Sequence, residues 1–96
     1  MRHSKTENLG SLIAQLVKQY QLEGKLLEVR AVQAWGTLFG PAVARHTDHV
    51  EVKNRILYVH LRSSVVRNEL MMQKSRIVEA VNERVGQSVI DKVVFR

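Results

Sequence analysis

The sequence predicts one small α+β domain, and three observations carry that expectation. The apolar period is helical from Asn8 to about His46, alternates between Val50 and Arg62, and is helical again over 64–85 before a last β-rich run. Ninety-six residues, 45% of them apolar, are enough for a single core. No internal repeat, low-complexity run or Pro/Ser-rich linker divides the chain, so residues 1–7 read as a frayed polar terminus and 8–96 as the domain.

Leu9, Leu12, Ile13, Leu16, Val17 and Tyr20 follow the i, i+3, i+4 spacing of a first helix, with Asn8 or Ser11 as its cap and Gly24 as its stop. A second helical pattern carries Leu27, Val32, Trp35, Leu38 and Phe39. It breaks at Gly40-Pro41, where the proline restarts a short helical turn through His46. Val50 and Val52 then alternate with Glu51 and Lys53, and the run from Ile56 to Arg62 alternates again. The two residues between them, Asn54-Arg55, predict a β-hairpin. Asn54 tolerates positive φ, but Arg55 is a poor occupant of the second turn position. That points either to a different turn or to a side chain kept for its charge.

Ser63-Ser64 offers an N-cap for a long helix over 64–85, with Val66, Leu70, Ile77 and Val81 as its stripe and Gly86 as its end. Val89 to Phe95 reads as the last strand. The order is α-α-β-β-α-β around a small three-stranded sheet. Leu57, Val59 and Leu61 belong to the face the long helix covers, and Ile56, Tyr58, His60 and Arg62 to the other.

Little in the chain suits catalysis. Without cysteine there is no thiol nucleophile, Cys-ligated zinc or disulfide. The four histidines form no HExxH pattern, and His46 and His49 around Asp48 read as a solvated junction rather than a metal site. The carboxylates are scattered, and Gly36 and Gly40 make neither a Walker loop nor a dinucleotide fingerprint. We therefore expect no enzyme, no cofactor and no metal. No apolar run approaches a bilayer span, and the amphipathic stretch after Met1-Arg2-His3-Ser4-Lys5 is not a signal peptide, so the expectation is a cytoplasmic protein without a membrane partner.

Charge is the informative property. The formal net charge is +6, which favours polyanionic partners. Between residues 53 and 76, six basic residues (Lys53, Arg55, Arg62, Arg67, Lys74, Arg76) face only Glu69. Arginine binds phosphate bidentately, so these six are the candidate phosphate-binding surface, with a merely solvated face as the alternative. Tyr58 shares its strand face with His60 and Arg62, a mixture suited to base stacking beside phosphate contacts. The alternative there is an ordinary half-covered strand face. Trp35 sits at helical spacing with Val32, Leu38 and Phe39 and reads as a core residue more than as a stacking platform.

From Trp35 onward the pattern resembles the DciA-like family, through Trp35, Gly40-Pro41, Ala44, His46-Thr47, Leu57, Val59, Ser63-Ser64, Glu69-Leu70, Asn82, Gly86 and Phe95. The resemblance implies a KH-like domain that binds single-stranded or tailed DNA and assists loading or operation of the bacterial DnaB-type replicative helicase. The family often has glycine in the hairpin turn, where this chain has Arg55, and an aromatic residue where it has Val66. The KH backbone-clamping GxxG loop is absent. The competing readings are a protein-interaction module without nucleic acid and a KH-like RNA-binding protein.

Overall fold

The computed structural model describes residues 5–20 and 22–96, of which 5–7 as backbone only. The elements are α1 (Lys5–Gln19), α2 (Glu23–Leu38), α3 (Gly40–Arg45), β1 (Thr47–Lys53), β2 (Ile56–Leu61), α4 (Ser64–Met71), α5 (Lys74–Val85) and β3 (Lys92–Phe95). The strands form one sheet in the order β1-β2-β3. β1 is antiparallel to β2 across the hairpin, and β3 is parallel to β2, with α4 and α5 as the crossover that a parallel pair requires. The fold is α+β, as the periods predict.

The alternation in β2 decides where the core lies. Leu57, Val59 and Leu61 are buried, and Val93 of β3 is in register with Leu57 on the same face. Ile77 and Val81 of α5, Ala31, Ala34 and Trp35 of α2, and Val89 and Ile90 complete the core. Val66 and Leu70 of α4 pack against it half-buried. Trp35 is 2% exposed. Its ring centroid lies 4.6 Å from that of Phe39 and 6.0 Å from that of Phe95. Its indole N–H donates to Thr47 Oγ1 at 3.2 Å, so the one polar atom of the ring is partnered. Trp35 is a core residue.

Local chemistry sets most of the boundaries. Ser63 caps α4, its Oγ accepting from the Val66 N–H at 3.2 Å. Gly86 ends α5 in the left-handed region at φ 98°, where a Cβ is costly. Gly40 turns the chain at φ 81° between α2 and α3, with Pro41 in the first turn of α3.

Several expectations are corrected. The first helix begins at Lys5 rather than Asn8, so neither Asn8 nor Ser11 caps it, and the first four residues of the expected frayed segment lie outside the described residues. It ends at Gln19, and Gly24 lies in the first turn of α2 instead of stopping α1. The long helix is two helices, broken at Met72-Gln73, where the Gln73 N–H donates to the Leu70 carbonyl at 2.9 Å. No glycine or proline causes that break. It lets the Val66/Leu70 stripe and the Ile77/Val81 stripe each reach the core. The last strand starts at Lys92 rather than Val89, because Asn82 takes the backbone of the preceding residues. Its Oδ1 accepts from the N–H groups of Val89 and Ile90 at 2.9 and 3.0 Å, and its Nδ2 donates to the Ile90 carbonyl at 2.9 Å. Among the described residues, no helix is long and apolar enough to cross a membrane.

Candidate nucleic-acid interface

The sheet face opposite the core has its own composition, fixed by register. Lys53, Ile56 and Lys92 are cross-strand neighbours, as are Glu51, Tyr58 and Val94, and His49 lies beside His60. Residues opposite one another share a face, so these side chains form the rear of the sheet. None of the three β2 residues in this set is buried, and Ile56 and Val94 stand outside the apolar core. The Arg96 backbone bonds to both Val59 and Leu61, which continues the β3 register and puts its side chain on the same face. Its guanidinium lies 4.6 Å from the centroid of the Tyr58 ring, a cation–π contact. The His49 and His60 rings are 5.5 Å apart, with Glu51 Oε1 3.9 Å from His49 Nε2.

A second group gathers at the hairpin end of the sheet. Asn54 and Arg55 both have positive φ, 53° and 64°, the two-left-handed pattern that matches the twist of a tight hairpin. The Arg55 guanidinium makes a fork onto Asp91, Nε to Oδ2 at 3.0 Å and Nη2 to Oδ1 at 2.9 Å, and also donates to Ser88. The turn is therefore the regular one, with an arginine kept for its charge, and that charge clips the hairpin to the loop before β3. Hydrogen bonding to Arg55 holds the Asp91 carboxyl below the ordinary carboxylate range, with desolvation opposing it. Lys74 and Lys92 line one groove beside Asp91, with Ser75, Val78 and Val93 between them.

The structure thus places Lys53 and Arg55 at the hairpin end with Tyr58 on the rear face beside them, while Lys74 lies in the groove by Asp91 and Lys92. Arg76 lies exposed in the first turn of α5. Arg62 stands at the far end of β2, where its Nη2 and Nε reach Asp48 Oδ1 at 2.7 and 2.8 Å. Arg67, expected on the outer side of the helix, is half-buried and donates to the Leu61 carbonyl at 3.1 Å. Its Nε is buried without a hydrogen-bond partner. Sequence reading missed Lys92 and Arg96. Their signal is the alternation Lys92, Val94, Arg96, which acquires a face only once the parallel register is known.

Among the described residues, no group of three or more His, Asp or Glu side chains is placed to hold a metal ion. The fold and this surface define a class: a small α+β domain with a basic, partly aromatic rear sheet face. The chain belongs to the DciA family, whose model, described as Dna[CI] antecedent, DciA, matches residues 8–95. That membership associates it with loading of the DnaB-type helicase. No curated protein matches it.

Proposed function

We propose that the chain is a non-enzymatic DNA-binding accessory of the DnaB-type replicative helicase, acting as one KH-like domain over residues 8–96. It holds single-stranded or tailed DNA on the rear of its sheet while the helicase loads. The carrying observation is that rear face, where Lys53, Lys92 and Arg96 surround Tyr58 and, among the described residues, no apolar helix stripe joins the core from that side. Adjacent strands are about 4.8 Å apart, so Lys53 and Lys92 straddle a strip roughly 10 Å wide. Phosphates along one strand of DNA meet several of these charges at once and release counterions, while the Tyr58 ring offers a face to a base. The start of α5 supports the same reading. It has no side-chain cap, and Lys74 and Arg76 stand where a helix dipole favours acids, an arrangement that a bound anion stabilises. Lys53, Tyr58, Lys74 and Arg76 are accordingly the contact residues that remain accessible. Arg55 and Arg62 are exposed but tied to carboxylates, and Arg67 is tied to a carbonyl, so these three serve to shape the surface.

The test is fluorescence anisotropy of a labelled single-stranded oligonucleotide across a salt titration. Lys53→Gln with Lys92→Gln removes two phosphate contacts and flattens the slope of log K against log salt by about 1.4. Tyr58→Ala weakens binding by about 1–3 kcal/mol per stacked base at unchanged slope. Wild-type isotherms from both variants leave the protein-interaction reading in its place. Preference for an RNA of the same sequence favours the RNA-binding one.

A further inference from the structure

The amino-terminal third carries an apolar surface that the rest of the described residues leave uncovered. On α1, Leu9, Leu12, Ile13, Leu16 and Tyr20 are 40% to 62% exposed, and Leu22, Leu26 and Val29 continue the patch onto α2. Among the described residues, only Val65, Met71 and Met72 are large hydrophobics exposed elsewhere. Isolated exposed leucines need no explanation, but a run of them along two consecutive helices marks an interaction surface. The dimensions agree. The chain exposes 6806 Å², where a compact monomer of its 11.0 kDa exposes about 5,600 Å². Its radius of gyration is 16.2 Å against about 12.5 Å for a compact chain of this length.

We infer that α1 and α2 form the interface of a homodimer, the exposed apolar stripes of the two copies packing together. The surface excess of about 1,200 Å² belongs to the whole chain, and it is larger than the roughly 800 Å² that each partner of a standard interface buries. A two-fold axis sets the patch against itself, so an apolar stripe meets an apolar stripe without any further matching. Gly10 and Ala14 leave a groove between α1 and α2 that is lined by Ile13, Val17 and Leu26 together with the charged Lys18, Glu23 and Arg30. Charge favours a second copy over a polyanion or a strongly acidic protein. Residues 8–38 hold three basic residues (Lys18, Lys25, Arg30) and two acidic ones (Glu23, Glu28), so most of the net charge lies elsewhere.

Sedimentation velocity of the full chain over a wide concentration range tests this. The expected result is a species of twice 11.0 kDa at high concentration. Leu16→Glu returns it to the monomer mass with an unchanged circular dichroism spectrum, since this side chain is exposed. The chain has no cysteine, so Leu12→Cys, at the middle of α1, reports contact independently. It forms a disulfide-linked dimer on oxidation, whereas Lys53→Cys on the sheet does not. A wild-type chain monomeric at every concentration overturns the inference, as does a Leu16→Glu chain that still dimerises. Burial of α1 only when helicase is added overturns it in favour of a helicase contact.

Discussion

Replacing Asn82 by alanine tests how the loop before β3 is built. The side chain of Asn82 satisfies two backbone N–H groups and one carbonyl, at Val89 and Ile90, whose residues are 6% and 1% exposed. A buried polar group left without a partner costs about 1–3 kcal/mol, and three are left here. Asn82 itself is half-buried, so water reaches part of the space it vacates, and the net loss is expected near the low end of that sum, about 3 kcal/mol. For a domain of this size each kcal/mol shifts the melting temperature by roughly 4–8 °C, which puts the variant about 12–24 °C below wild type. Urea unfolding followed by circular dichroism measures it, with the m-value unchanged if the native state stays compact. Asn82→Asp keeps the acceptor for both N–H groups and loses only the donor to Ile90, so its loss is smaller. The clamp also places Asp91 and Lys92, hence the Arg55 clip and one side of the basic groove. A loss below about 1 kcal/mol for the alanine variant refutes the idea that these three bonds organise the loop.

Trp35→Ala removes the largest buried side chain and is expected to cost about 3–5 kcal/mol, with DNA binding lost only in proportion to the unfolded fraction. A stable variant with abolished binding, by the same melts and anisotropy, places Trp35 in an interface instead. The Asp91 clip predicts an acid dependence. Because the folded carboxyl titrates below its unfolded value of about 3.9, its contribution is complete above that pH and is lost as pH falls through the folded value. The effect is small, since both partners are exposed, and it disappears in Asp91→Asn. Equal acid sensitivity in wild type and variant contradicts the assignment.

The elements that sequence reading located are those whose signal is local. The β2 alternation, the two-residue turn, the Ser63 cap and the Gly86 stop each depend on neighbours within a few positions. What it misplaced depends on distant partners. Nothing at Met72-Gln73 breaks a helix, and the break answers to where the core lies. Val89 and Ile90 have strand composition, but Asn82 engages their backbone from α5. The apolar stripe of α1 showed that the helix seeks a cover without showing that it stays exposed among the described residues. In the candidate interface, Lys53 and Tyr58 were legible because β2 and its turn are local. The carboxylates that hold Arg55 and Arg62 lie 36 and 14 residues away in sequence, and the separation hides them. Lys92 and Arg96 gain their position from a parallel pairing that no short pattern specifies.

The most direct measurement of the central claim is loading of the same organism's DnaB-type helicase onto tailed DNA, with wild-type chain and with Lys53→Glu/Lys92→Glu. Both substitutions lie on the exposed rear of the sheet, so the fold and the capture of helicase in a pull-down without DNA are expected to survive. Loading, read as unwinding of a forked substrate, is expected to fall toward the level without the chain. The defect should narrow at low salt, where the remaining phosphate contacts are strongest. A charge-reversed chain that stimulates loading as well as wild type across the salt range contradicts the claim that this face carries the DNA.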